Sequence, residues 1–278
     1  MAAPSAAAGL AFAIALLDGG KSVPIDRFTL NVPGAKGALI LSLEGVDLVG
    51  GTFVAPVRLA NETDVDVLSP RIDVVSVTET RREGGREAAH ATDATAISPP
   101  AWGLLRKRTD AAGQLLRVSP VAFSPETSLI VILGAVSGVA AVGSFEVEGA
   151  RNPVRLDVES GAVFVTDTSG RIVRCALDGR GAAEVKQRPV QKSDPAGGPC
   201  ARARLQAFAC RAAPDGGAWA VEGREVTQLD AEGKRVRSFP PGGEGPPAAL
   251  AFGADGRLFV ATSGAEGRSG SVRVFRPF

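Results

Sequence analysis

Three cysteines, one histidine and a set of aspartates at glycine turns are the residues here whose types could do chemistry. Cys200 and Cys210 flank a short polar stretch. That spacing suits a local disulfide in an exported protein and fits no zinc or redox motif. The odd count then leaves Cys175 over. His90 stands alone within a charged stretch. A single histidine rules out a multi-histidine metal cage within one chain, and any Ser-His-Asp arrangement would have to recruit it. Asp167, Asp178, Asp230 and Asp255 sit at or beside turns, where an Asp side chain serves local backbone hydrogen bonding. The triplet Asn61-Glu-Thr63 matches a glycosylation sequon. No nucleophile elbow, zincin helix, EF-hand loop or phosphate-binding loop occurs in the string. The expectation is a protein with no catalytic residues, no cofactor and no metal.

The composition points the same way. The 278 residues carry 31 basic and 30 acidic side chains, so the net charge is +1 and gives no electrostatic case for nucleic acid or an anionic membrane. Hydrophobic residues make up 45%, enough for a sizeable core. The 34 glycines and 19 prolines suit many short strands joined by turns better than helices.

Residues 6–17 form an uncharged, Ala-rich apolar run of good helix propensity. It is too short for a transmembrane span, which needs about 20 residues. Three readings stand side by side: an export signal or its remnant, an apolar arm that packs on this or a neighbouring subunit, and a buried N-terminal helix. As an arm, residues 1–20 would complete a neighbour's sheet by strand addition.

The elements downstream read as strand after strand. Apolar or alternating runs at 28–32, 38–43, 53–60, 72–77, 115–123, 129–136 and 139–147 are separated by Pro and Gly punctuation. Residues 80–113 interrupt them. Thr80-Arg-Arg-Glu-Gly-Gly-Arg-Glu87 and Arg106-Lys-Arg-Thr-Asp110 are dense in charge, and Trp102 lies between them. The pattern predicts a long polar loop, with Trp102 and Arg106 as exposed contact residues for a partner. The rhythm over 21–150 resembles bacterial immunoglobulin-like domains. Val57-Arg-Leu-Ala-Asn-Glu-Thr63 and Ile72-Asp-Val-Val-Ser-Val77 look like two of their core strands.

Residues 151–278 carry a β-motif three times, at 160–174, 217–229 and 255–275. Each copy is a short apolar strand centred on an aromatic (Phe164, Trp219, Phe259), a glycine turn and an alternating strand. Val163-Phe-Val-Thr-Asp-Thr-Ser-Gly-Arg-Ile172 and Leu250-Ala-Phe-Gly-Ala-Asp-Gly-Arg-Leu-Phe-Val-Ala-Thr-Ser263 resemble blades of the β-propeller group that includes NHL repeats and gluconolactonase-like proteins. The aromatics stand 55 and then 40 residues apart, so an insertion is expected around 192–198. The resemblance implies stacked four-stranded blades. Gluconolactonase-like members also bind a divalent cation through Glu, Asn and Asp and hydrolyse lactones. The repeat region holds one Asn, Asn152, at its start, so that metal site is not carried over. Three blades fall short of the four to eight that close a ring, which leaves edges for something to cover.

The sequence is therefore read as all-β, an immunoglobulin-like β-sandwich followed by propeller-like β-sheet repeats. The function expected is that of a non-catalytic, secreted or cell-envelope protein that assembles with itself or with other surface proteins, without nucleic acid and without a transmembrane span. A small-ligand or glycan-binding face near Trp219 is the alternative, and a metal-dependent lactone hydrolase comes after it.

Overall fold

Period-two alternation governs the chain, and the backbone follows it. The structure is a computed structural model that describes residues 9–18, 21–23, 27–90, 92–121, 127–187, 198–203, 209–264 and 268–278. It is all-β. The strands of the first half are β1 (Leu10–Ala15), β2 (Leu17–Asp18), β3 (Lys21–Ser22), β4 (Phe28–Leu30), β5 (Leu39–Leu43), β6 (Asp47–Val49), β7 (Thr52–Asn61), β8 (Val67–Glu83), β9 (Arg86–His90), β10 (Thr95–Ile97), β11 (Leu104–Leu105), β12 (Thr109–Ser119) and β13 (Thr127–Glu146). The second half holds β14 (Pro153–Glu159), β15 (Ala162–Asp167), β16 (Ile172–Ala176), β17 (Ala183–Val185), one short helix α1 (Pro199–Arg202), β18 (Ala209–Ala212), β19 (Ala218–Glu222), β20 (Glu225–Leu229), β21 (Arg235–Phe239), β22 (Pro247–Phe252), β23 (Leu258–Thr262) and β24 (Ser271–Pro277). The chain divides into two compact units, residues 1–140 with Phe278, and residues 141–277. The division falls inside β13, ten residues before the boundary expected at 150.

In unit 1, β7 shows the logic. Phe53, Ala55, Val57 and Leu59 alternate inward and are buried, while the residues between them face outward. β7 is flanked by β5 and β12 in the antiparallel order β10-β12-β7-β5-β4. A second group runs β11-β8-β13, with β9 beside β8 and β1 beside β13. Phe12 of β1 meets Phe28 of β4 at 5.9 Å between ring centroids, which joins the two groups.

Two expectations change here. Residues 10–15 of the apolar run form a strand, not a helix. β1 pairs with β13 of its own chain from Leu10↔Val136 to Ala15↔Val131, and Phe12, Ile14 and Leu16 are buried. A Cβ at Gly134 would lie 2.4 Å from the Phe12 ring, so this glycine makes the socket for that side chain. Alanine's helix propensity is worth a fraction of a kcal/mol per residue, and burial of three large apolar side chains exceeds it. The first residues of the run lie outside the described residues.

The second change concerns 80–113. That stretch contains β9, β10 and β11 and the end of β8, and is no single loop. Gly84 and Gly85, both at positive φ, turn a hairpin in which Arg82 lies opposite Glu87, their charged groups 3.7 Å apart, and Glu83 lies opposite Arg86. Charges that look loop-like along the string are cross-strand pairs.

Unit 2 is built from antiparallel meanders. β14-β15-β16-β17 and β18-β19-β20-β21 are four-stranded sheets, and β22-β23-β24 lies beside β13. Every residue of β23 is buried because both faces of its sheet are covered. On one face Ala249, Ala251, Phe259, Ala261, Val272 and Val274 pack with Leu156, Val163, Val165, Val173 and Cys175 of the β14–β17 sheet. On the other, Phe275 meets Phe239 at 5.3 Å, and Phe239 meets Trp219 at 5.8 Å, both edge to face. The three repeat aromatics sit on the second strand of each sheet. The insertion expected around 192–198 lies outside the described residues except for Gly198.

Candidate functional site

The turn aspartates of unit 2 are local braces. The Asp167 carboxylate accepts from the Ser169 N–H at 2.9 Å, the Ser169 hydroxyl at 2.6 Å and the Arg171 N–H at 3.1 Å. Burial opposes its ionisation, but these hydrogen bonds and the nearby Arg171 outweigh it and hold the carboxyl below its ordinary value. Asp255 is lowered in the same way: burial works against it, and the Arg257 N–H and guanidinium prevail. Asp178 accepts from the Arg180 N–H, and Asp230 from the Glu232 and Lys234 N–H groups. Among the described residues no group of three His, Cys, Asp or Glu side chains could hold a metal ion.

Cys200 and Cys210 form a disulfide. It clamps the α1 segment over Ala218, Ala220 and Leu229, the face of the β18–β21 sheet opposite Trp219. The bridge thus lies against this face of the sheet, with Ala203 beside it. Closing a loop of this length is worth roughly 2–3 kcal/mol in the chain-entropy account. Cys175 is 1% exposed, and burial chiefly, with Asp178 adding, raises its thiol pKa while Arg174 opposes. Unreduced native protein is therefore expected to give no thiol reactive towards Ellman's reagent, and one after unfolding in denaturant. Three thiols after unfolding would contradict the bridge.

Both tryptophans expected as contact residues are internal. Trp102 is 7% exposed. Its backbone N–H donates to the Pro70 carbonyl, and the Ser69 N–H donates to the Gly103 carbonyl, which ties the segment down with the indole buried. Trp219 is 1% exposed, wedged against Phe239, so it offers no face to a ligand. Arg106 is exposed as expected.

Arg106 belongs to a loop end of unit 1 that the sequence reading missed. Asn61, fully buried, holds it together. Its amide N–H₂ donates to the Val65 carbonyl at 2.9 Å and the Leu105 carbonyl at 3.1 Å, and its oxygen accepts from the Thr63 N–H and hydroxyl. The sequon is thus a structural turn whose amide is enclosed and already donating. Asp64 accepts from the Lys36 N–H at 2.8 Å, and Asp66 from the Lys107 N–H at 2.9 Å. Gly37, at φ +87°, passes so close to the Glu62 carbonyl that a Cβ would lie 2.3 Å from it. Loops 33–38, 61–66 and 106–109 are sewn into one platform. An Asn-x-Thr at a strand end, followed by alternate aspartates, was the legible signal for such a turn.

Beside this platform lies an open cleft of about 770 Å³, lined among others by Arg27, Ile40, Arg58, Arg108 and Asp110. Asp110, by hydrogen bond and charge, and then Glu44 at 3.2 Å raise the pKa of the Arg58 guanidinium between them. The arrangement can bind charged groups. No protein-family model matches this chain, and no curated protein matches it either.

Proposed function

We propose that the protein is a non-catalytic interaction protein, secreted or held in the cell envelope, that assembles with itself or binds other surface proteins. The observation that carries the reading is the loop end of unit 1. A buried Asn61 network fixes three loops in advance and presents charged side chains from them. Preorganised loops of this kind lose little entropy on binding. The disulfide supports an oxidising compartment. No helix among the described residues is long and apolar enough to cross a membrane.

We read unit 1 as an immunoglobulin-like sandwich and unit 2 as three propeller-like blades. Support for the first is the pair of antiparallel strand groups joined through Phe12 and Phe28. Support for the second is the repeated meander with an aromatic on each second strand, and the way an earlier strand, β13, completes the last sheet. β1 pairs within its own chain in this structure, so self-assembly through it would require the strand to exchange between copies.

Light scattering on the full chain over a range of concentrations tests the assembly. A mass rising above the 28.4 kDa of one chain supports self-assembly, and a constant single-chain mass moves the reading to a separate protein partner. Calcium-dependent lactone hydrolysis by the purified chain would overturn the non-catalytic reading.

A further inference from the structure

The charges at the loop end of unit 1 fall into two kinds. Each of its five carboxylates is engaged by the scaffold: Asp64 and Asp66 on backbone N–H groups, Asp110 and Glu44 on Arg58, and Glu62 facing Arg27 at 3.5 Å. The cationic side chains of Lys36, Arg106, Lys107 and Arg108 are exposed and have no ion pair among the described residues. They flank the 61–66 loop on both sides, because Lys36 is tied to Asp64 and Lys107 to Asp66 through their backbones. The fold holds each carboxylate on a partner, with Glu62, Asp64 and Asp110 still at the surface, and leaves four cationic side chains without an ion pair among the described residues.

We propose that this surface binds an acidic segment of a partner polypeptide. The inference rests on the interaction reading above and names the partner's chemistry. Guanidinium forks take carboxylates in bidentate fashion, and two of the four groups are arginines. The neighbouring cleft, with Ile40 and Ala60 in its lining and a volume of about 770 Å³, accepts a side chain lying between two acidic ones. A polypeptide suits the surface better than a phosphate backbone does. The carboxylates of Glu62, Asp64 and Asp110 are exposed among the cations, so an unbroken row of phosphates would lie against them. A peptide sets its carboxylates apart, and each can meet a cation. The net charge of +1 supplies no general field, so contact is made by this surface and not by the whole molecule.

The test is fluorescence anisotropy of the full chain with a fluorescein-labelled peptide in which Glu alternates with Ala and Leu. The comparison probes are the same peptide carrying Gln for Glu, heparin, and single-stranded DNA. The surface variant is Lys36→Glu, Arg106→Glu, Lys107→Glu and Arg108→Glu together. A variant with Gln at those positions repeats the test without reversing charge. The matched control moves the same four charge reversals to unit 2, at Arg180, Lys186, Arg224 and Lys234, with folding of all variants checked by circular dichroism. The Glu peptide is expected to bind and the Gln peptide not. Loop-end reversal should weaken binding at least about tenfold and the control by less than about twofold, with affinity falling as salt is raised. Absence of Glu-peptide binding, equal loss in both variants, or preference for heparin or DNA would each overturn the proposal. Light scattering on the same samples separates the two readings: a chain that self-associates yet ignores the peptide keeps the interaction function and loses this partner.

Discussion

Asn61→Ala is expected to lower the unfolding free energy by about 3 kcal/mol or more, among the largest losses for any polar residue in the chain. Asn61 is fully buried and makes four hydrogen bonds, two as donor and two as acceptor. Alanine removes all four and leaves behind the Leu105 carbonyl, which the amide reaches across 44 residues of sequence. A buried polar group without a partner costs about 1–3 kcal/mol, more than the net gain of a hydrogen bond made. Asn61→Asp is expected to fail as well, because a carboxylate accepts where the amide N–H₂ donates to two carbonyls. Urea unfolding followed by circular dichroism checks both. A loss below about 1 kcal/mol would show that water replaces the amide and that the platform is not fixed by it.

Trp219→Ala is the second large loss, expected at about 3–5 kcal/mol from the cavity left in a packed core. Trp219 lies at the end of the edge-to-face series Trp219–Phe239–Phe275, which joins the β18–β21 sheet to the β22–β24 sheet. Its removal takes away both area and the ring contact with Phe239. Trp219→Phe should recover a good part of the loss, since a smaller ring still meets Phe239. The same denaturant measurement decides, and its outcome bears on function. A tryptophan that contacted ligand and not core would leave stability nearly unchanged when replaced.

The two residues show why the site was less legible than the fold. Strand positions could be read because burial alternates with period two, and the inward residues of β7 are the apolar ones in the string. The centres of the repeats could be read for the same reason, together with the glycines of their turns. Exposure of a tryptophan could not. Trp102 stands between two charge-dense stretches along the chain, yet its backbone is placed by Pro70, 32 residues away, whose carbonyl accepts the Trp102 backbone N–H. Asn61-Glu-Thr63 carries two possible meanings, a modification site or a turn, and only the approach of Leu105 selects between them.

By itself the sequence determined the all-β class, the recurring apolar strands with aromatic centres in the second half and the bracing role of the turn aspartates, and it offered Cys200 and Cys210 as a pair that could bridge. These follow from local rules: alternation, glycine turns, short-range hydrogen bonding and residue spacing. Only the tertiary structure decided that the N-terminal run is a strand, that both tryptophans are internal, and that the acidic groups of one loop end are engaged while Lys36, Arg106, Lys107 and Arg108 are left facing solvent. Each of these depends on partners distant in sequence. Burial and charge pairing are properties of the space around a residue, and that space is filled by residues whose arrival the local pattern does not specify.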